Sequence, residues 1–86
     1  QGMLFVFDKS GVYAIWMKDM KFAIDILWIS DDKKVVDIAQ NVVPEPGKKD
    51  RELTIYTPKA DAKYILEVNA GITSLNNIAV GETVDF

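Results

Sequence analysis

The side chains in this sequence that could do acid–base or nucleophilic chemistry are carboxylates, lysines, tyrosines and hydroxyls, because the 86 residues contain no cysteine and no histidine. That composition excludes disulfide bonds, thiolate nucleophiles, serine–histidine triads and the usual zinc sites. Asp25 is the most informative carboxylate, because it interrupts the apolar run at residues 24–29 and shares a strand face with Leu27 and Ile29. A buried carboxylate without a partner would cost much of a small domain's stability, so Asp25 must be solvated, hydrogen-bonded or paired.

Asp25 has two interpretations, of which we favour the first. In the structural interpretation its carboxylate accepts hydrogen bonds from backbone N–H groups or lysines at the start of a strand, since such networks also perturb carboxylates. In the functional interpretation it is a general acid–base group or a cation ligand. If the protein is an enzyme, Glu67 and Asp19 are the candidates for a second carboxylate beside Asp25.

Glu67 and Asn69 lie on the strand face opposite Leu66 and Val68. We expect an ordinary solvent-exposed face there. If Glu67 instead turned toward Asp25, the two carboxylates would permit glycosidase-like acid–base catalysis or bind a hard cation such as Ca²⁺ or Mg²⁺. The sequence has no EF-hand spacing, and it predicts no metal and no cofactor.

The segment from Trp16 to Asp19 and the turn at Gly71 are further candidates for a binding site. Trp16 and Met17 extend an apolar run. Lys18 and Asp19 follow where the chain turns, so they could rim a pocket in which the Trp16 ring stacks on a sugar or base and Lys18 holds an anion. We favour core packing with a solvated turn. Gly71 could present helix N–H groups to an anion, but a strand-to-helix turn explains it more simply.

The charge distribution argues against a nucleic-acid partner. Ten basic and thirteen acidic residues give a net charge of −3, whereas surfaces that follow phosphates need a basic excess. The longest apolar run, at residues 12–17, is too short to span a membrane. The sequence shows no signal-peptide pattern, which leaves the compartment open between the cytoplasm and export after signal removal.

Short runs of β-branched and aromatic residues separated by turn residues predict a single, mostly β domain over residues 1–86. The predicted strands cover residues 3–7, 12–17, 24–29, 35–43, 53–56, 64–69 and 83–86, with one or two helical turns within 72–78. The first and second strands, and the third and fourth, are predicted to form hairpins.

The apolar pattern within the strands also predicts how they pack. Uninterrupted runs such as residues 3–7 indicate strands covered on both faces, as in a small antiparallel barrel or sandwich. In the fourth strand, Val36, Ile38 and Val42 are expected to share one half-buried face.

Three segments, in this order along the chain, resemble domain-of-unknown-function family 192 of bacteria and archaea. They are residues 2–7 (GMLFVF), 16–29 (WMKDMKFAIDILWI) and 64–71 (YILEVNAG), with smaller matches at 35–36, 41–42, 56–58 and 80–82. The resemblance implies a compact β-rich fold and no particular activity.

The sequence departs from the family pattern in two places. Family members usually begin with a further strand upstream, and they usually have proline where this chain has Ala23. Loss of an edge strand would expose backbone groups and an apolar face, so we expect either a trimmed product or a chain that associates with a second copy through the exposed edge. Ala23 is expected to loosen the link into the third strand.

These observations predict a non-catalytic β module that binds a small ligand or a protein near residues 16–19, Asp25 and residues 67–71. The competing hypothesis is a carboxylate-dependent enzyme acting on a polar small molecule or sugar, with Asp25 and either Glu67 or Asp19 as its acid and base. A third hypothesis is a purely structural accessory domain in which every one of these polar groups serves the fold.

Overall fold

The computed structural model describes residues 2–86, so Gln1, which the predicted single domain includes, lies outside the described residues. These residues form six strands, one short α-helix and one 3₁₀ turn at Asp50–Glu52. The strands are β1 (Gly2–Gly11), β2 (Ile15–Trp16), β3 (Ile24–Ile29), β4 (Val35–Val42), β5 (Ile55–Tyr56) and β6 (Ala62–Asn69), and helix α1 covers Ile72–Leu75. The prediction of a mostly β fold with one short helix near the C-terminus is confirmed.

Four strands form an antiparallel sheet in the order β1-β6-β3-β4, and β2 pairs with β5 as a separate two-stranded ribbon. The predicted hairpin between the third and fourth strands is therefore confirmed as β3–β4. The predicted hairpin between the first two strands is wrong, because β1 pairs with β6 and β2 with β5. The predicted barrel is also wrong, because β1 and β4 lie at opposite edges and the sheet does not close within residues 2–86.

The core lies on both faces of β3, whose six residues are all buried. On one face Ile26 and Trp28 pack with Ile65 and with side chains of the β2–β5 ribbon. On the other face Leu27 and Ile29 form a second cluster, which is completed by side chains from β6 and the C-terminal segment. The prediction that an apolar strand is covered on both faces is confirmed for β3.

β1 departs from that prediction. Its apolar residues 3–6 are exposed on both faces within the described part of the chain, although their sequence is as apolar as that of β3. The physical reason is position, since β1 lies at the sheet edge while the two hydrophobic clusters are centred on β3 and its neighbours.

β4 contains two irregularities in its pairing with β3. One places Gln40 and Asn41 opposite Asp25 alone, and the other lies between the pairs Trp28–Asp37 and Ile29–Val35. Because each extra residue reverses the alternation of side chains, residues of equal parity do not share a face. Val36 and Val42 pack in the first cluster and Ile38 in the second, so the predicted common face is wrong.

The C-terminal segment runs along the start of β4. The Val35 N–H donates to the Glu82 carbonyl at 2.8 Å, and the Gly81 N–H donates to the Val35 carbonyl at 2.8 Å. The predicted final strand is a single bridge between Lys34 and Thr83. These bonds protect part of the β4 edge from solvent, a protection that β1 lacks within residues 2–86.

Truncation of a core side chain on β6 tests this packing. Ile65→Ala removes a side chain that is 0% exposed, so we expect the free energy of unfolding to fall by about 2–5 kcal/mol. Ile55→Ala is the matched control, because Ile55 is 63% exposed in the β2–β5 ribbon, and its effect should stay within about 1 kcal/mol. Urea denaturation followed by circular dichroism measures both, and equal losses would contradict the assignment of Ile65 to the core.

Candidate functional site

Asp25 is a buried carboxylate near the start of the inner strand β3, and the residue is 1% exposed. Its Oδ1 accepts a hydrogen bond from the Asn41 N–H at 2.8 Å. Its Oδ2 accepts from the N–H groups of Gly71 and Thr73, both at 3.1 Å, and from the Thr73 hydroxyl at 2.8 Å. Four donors occupy a group that offers about four lone-pair sites, so the carboxylate is fully used by the fold.

The surroundings of Asp25 favour its charged form. Burial alone would raise the pKa of the Asp25 carboxyl, but the hydrogen bonds from Asn41, Thr73 and Gly71 outweigh burial and lower the pKa below its ordinary value of 3.8. Gln40 extends the network, because its Nε2 donates to the Thr73 hydroxyl oxygen at 2.9 Å. These contacts match the structural interpretation of Asp25, with backbone N–H groups as the main donors.

The opposite face of the sheet carries an open, largely apolar groove of about 720 Å³. We call it the β1–β2 groove. Its walls come from β1, from β2 and the turn that follows it, and from the end of β6: Gly2, Met3, Phe5, Ala14, Ile15, Trp16, Met20, Phe22, Ile24, Glu67, Val68 and Asn69. A groove of this size and composition is typical of sites for small organic molecules.

Two aromatic side chains stand at the mouth of the β1–β2 groove. Trp16 is 44% exposed and Phe22 is 60% exposed, which is a large apolar area for a domain of this size. The ammonium group of Lys18 lies 5.5 Å from the centre of the Trp16 ring, in cation–π range. The Trp16 ring is therefore partly exposed, and its flat surface is available to a ligand.

Glu67 is the acidic group of the β1–β2 groove. It lies opposite Met3 on one side and Ile26 on the other, and it is half-buried. Burial raises the pKa of the Glu67 carboxyl, and no donor or cation among residues 2–86 offsets that effect. The expectation of an ordinary solvent face is therefore wrong for Glu67, because this face also carries the buried Ile65. Asn69, on the same face, is exposed.

Lys18 and Asp19 lie in a second, smaller cleft of about 310 Å³ between the turn after β2 and the loop at residues 45–53. The Lys18 ammonium binds the Asp50 carboxylate at 3.0 Å, and the hydrogen bond and charge of Asp50 raise the pKa of Lys18. Met17 lines the same cleft but is buried in the first hydrophobic cluster. This cleft is mixed in charge, because Lys18 pairs with Asp50 and Lys48 with Glu45, while Lys21 has no salt bridge among residues 2–86.

The sheet separates the residues that the sequence grouped together. Asp25 pairs with Val68 and faces the second cluster, whereas Glu67 pairs with Ile26 and faces the β1–β2 groove. The two carboxylates therefore point to opposite faces and do not form an acid–base pair. Gly71 lies beside Asp25. Trp16, Glu67 and Asn69 come together in the groove.

The groove also contains residues that the sequence analysis did not single out, namely Met3, Phe5, Met20 and Phe22. Their apolar types are ordinary for strands and turns, so no local pattern distinguishes them from core residues. One signal was present for Phe22, which is a large aromatic residue in a polar turn and follows Lys21. An aromatic residue in such a turn is a candidate for exposure and binding.

The fold is a small β domain built on an open four-stranded antiparallel sheet. A two-stranded ribbon packs on one face, which also carries the β1–β2 groove, and a short helix lies on the other face. The model of the family DUF192, described as Uncharacterized ACR, matches residues 1–86. The chain therefore belongs to this family.

Relatives of known sequence or structure extend the comparison. A UPF0127 protein of Thermococcus sibiricus is 30% identical over 73 residues, which cover 85% of this chain and 42% of the relative. A UPF0127 protein of Pyrococcus furiosus is 30% identical over 78 residues, which cover 91% of this chain and 57% of the relative. The chain thus spans about half the length of these two relatives.

Two solved structures have the same fold. A protein of Sinorhizobium meliloti 1021, described as a proposed transcription regulator, superposes with a TM-score of 0.85 at 28% identity, over 98% of this chain and 60% of that chain. A protein of unknown function from Novosphingobium aromaticivorans superposes with a TM-score of 0.86 at 26% identity, over 100% of this chain and 57% of that chain.

In the described part of this chain, neither helical segment has the length or apolarity to cross a bilayer.

Replacement of Asp25 tests its structural role. Asp25→Asn removes the charge and turns an amide toward N–H donors, so two or more donors lose their acceptor at about 1–3 kcal/mol each. We expect the free energy of unfolding at neutral pH to fall by at least about 2 kcal/mol. Asp31→Asn is the control, because the Asp31 side chain is 72% exposed. An Asp25→Asn protein as stable as the parent would refute the structural assignment.

The same carboxylate predicts a pH dependence. The folded pKa of Asp25 lies below the unfolded value of 3.8, so the unfolded chain binds the proton more readily as the pH falls. The stability that Asp25 contributes is complete above the unfolded pKa and is lost as the pH falls below 3.8 through the lower folded pKa. Urea denaturation between neutral and acidic pH should show a shallower acid loss in Asp25→Asn than in the parent or in Asp31→Asn.

Proposed function

We propose that this domain is a non-catalytic binding module whose β1–β2 groove takes a small amphipathic molecule with an apolar or aromatic body and a positively charged or hydrogen-bond-donating head. The observation that carries the proposal is the half-buried Glu67 carboxylate in a groove whose other lining side chains, apart from Asn69, are apolar. A charge held in such a place is costly unless it is paired, so a bound donor or cation would recover that cost.

The aromatic side chains favour a ligand with a flat or chain-like body. Trp16 and Phe22 offer exposed ring surface at the groove mouth, and Met20 adds a flexible apolar side chain between them in sequence. In this proposal the apolar wall of the groove binds the body of the ligand, and the Glu67 carboxylate binds its head. The sensing of a small molecule is also compatible with the regulator role proposed for the Sinorhizobium meliloti protein.

The carboxylate-dependent enzyme has less support than the module. Asp25 is enclosed by four donors on one face and Glu67 lies on the other. Asp19 lines the second cleft, apart from both. A single carboxylate in an open groove supports binding better than a reaction that needs paired acid and base.

Three probes with one body and different heads test the proposal: 4-phenylbutylamine, 4-phenylbutanol and 4-phenylbutyrate. We expect the amine to bind most tightly at neutral pH and the carboxylate least, because a charge-assisted hydrogen bond to Glu67 is worth about tenfold in affinity or more. Tryptophan fluorescence reports binding at Trp16, since Trp28 is buried. Equal affinities would contradict the role of Glu67 in binding the head, and no binding by any probe would favour the purely structural domain.

Three variants assign any observed binding to the groove. Glu67→Gln should remove the preference of the amine over the alcohol. Trp16→Ala lacks the fluorescent reporter, so isothermal titration calorimetry measures its binding, which should be weaker for all three probes. Val43→Ala is the control, because Val43 is an exposed apolar residue outside the groove. If Glu67→Gln kept the full preference for the amine, Glu67 would not be the residue that binds the head.

The pH dependence of probe binding gives a further check. Burial raises the pKa of Glu67 above its ordinary value of 4.5, so its negative charge is lost while the pH is still above the usual range for a glutamate. The amine preference should therefore fade as the pH drops toward that raised pKa, while binding of the alcohol changes little. A preference that persisted down to pH values at which an ordinary glutamate is protonated would contradict the assignment.

A further inference from the structure

The polar side chains of the β1–β2 groove lie next to each other on one strand. Glu67 and Asn69 are two residues apart on β6, and the pairing of β6 with β3 is regular over this stretch, so both side chains project from the same face of the sheet. Apart from the indole N–H of Trp16, the side-chain hydrogen-bonding groups of the lining residues are therefore concentrated at the end of β6.

The amide group of Asn69 has hydrogen-bonding capacity that the fold does not use. The Gln40 amide donates to the Thr73 hydroxyl and the Asn76 amide to the Ile72 carbonyl, whereas the Asn69 amide takes part in no hydrogen bond within residues 2–86. An amide group offers two donors and an acceptor oxygen. Asn69 can therefore bind a neutral polar group that either donates or accepts.

The face of β6 that carries these two side chains becomes more polar along the strand. Ile65 is buried, Glu67 is half-buried and Asn69 is exposed. On β3 the buried side chains of Ile26 and Ile24 lie beside Glu67 and Asn69 respectively. An amphipathic ligand therefore lies with its apolar body toward Ile65 and its polar head toward Asn69, because each part then meets surface of its own polarity.

We propose, on the basis of the proposed function, that Glu67 and Asn69 form one subsite for a primary amine that carries a hydroxyl group on the neighbouring carbon. The ammonium group donates to the Glu67 carboxylate, and the hydroxyl group bonds to the Asn69 amide. Side chains two residues apart leave a strand about 7 Å from each other. A vicinal amino alcohol spans that distance as a bent chain, with hydrogen bonds of about 2.9 Å at both ends.

The charge of Glu67 also excludes a related class of ligand. An amino acid has a carboxylate in the place of the hydroxyl group, and that carboxylate would lie beside Glu67. Like charges brought together at a binding site oppose binding, so the subsite selects amino alcohols over amino acids.

Isothermal titration calorimetry with two matched probes tests the subsite. 1-Amino-4-phenylbutan-2-ol has the carbon skeleton of 4-phenylbutylamine and adds only the hydroxyl group, and each of its enantiomers is measured separately. A hydrogen bond between neutral groups contributes about two- to tenfold in affinity. We expect the better enantiomer to bind more tightly than the amine by that factor at neutral pH.

Two variants and a spectroscopic measurement assign this gain to Asn69. Asn69→Ala should abolish the gain, because the hydroxyl group then leaves water without finding a partner. Asn76→Ala is the matched control and should keep it, since Asn76 lies outside the groove. Circular dichroism shows whether each variant is folded. In the parent domain, the nuclear magnetic resonance signal of the Asn69 side-chain amide should shift more with the amino alcohol than with the amine.

The outcomes separate the subsite from the proposed function. An amino alcohol that binds no more tightly than the amine would overturn the subsite, and so would a folded Asn69→Ala variant that keeps the full gain or equal shifts of the Asn69 amide signal. A preference for the amine over 4-phenylbutanol that Glu67→Gln removes would still support the proposed function. If no probe binds, the proposed function and the subsite fail together.

Discussion

The fold depends on the charge of Asp25, which is buried in β3 and would be untenable without its four hydrogen-bond donors. Those donors come from two distant parts of the chain, the irregular end of β4 and the start of helix α1. The Asn41 N–H turns inward because Asn41 adopts a left-handed backbone conformation with φ 51°, which an asparagine tolerates better than most residues. One carboxylate thus fixes the bulge in β4, the position of α1 and, through the chain that follows α1, the packing of Ile78 over the second cluster.

The structural use of Asp25 determines where function can lie. Asp25 and Glu67 lie on neighbouring strands, one position apart in the register, so their side chains point to opposite faces of the sheet. Asp25 has four donors and a lowered pKa, whereas Glu67 has burial without a donor and a raised pKa. A carboxylate whose hydrogen-bonding capacity is full stabilises a fold, and one whose capacity is open to solvent or a ligand can recognise a donor.

The sequence predicts the elements whose pattern is local. β3, β6 and the β3–β4 hairpin follow from alternation and turn residues, as does the shared face of Asp25 and Leu27. The sequence does not predict that β1 pairs with β6. The apolar residues of β1 could pair with any of the other apolar strands, and long-range packing decides which strand becomes the neighbour of β1. The bulge at Asn41 also leaves no clear signal, since asparagine is common in turns as well. The β1–β2 groove is missed for the same reason, because its Met3 and Phe22 are ordinary apolar residues until the fold brings them together.

The groove beside β1 has its physical origin in a mismatch in the size of the two layers. β1 is ten residues long, whereas each strand of the β2–β5 ribbon, which packs on the groove face of the sheet, is two residues long. The ribbon therefore covers Ile26 and Trp28 in the middle of the sheet but not the surface near Met3. Because nothing in residues 2–86 fills that space, Glu67 is only half-buried and β1 keeps its apolar side chains in solvent. A ligand in the groove would contact Met3 and Phe5, so it would cover the apolar surface of β1 that the short ribbon leaves exposed.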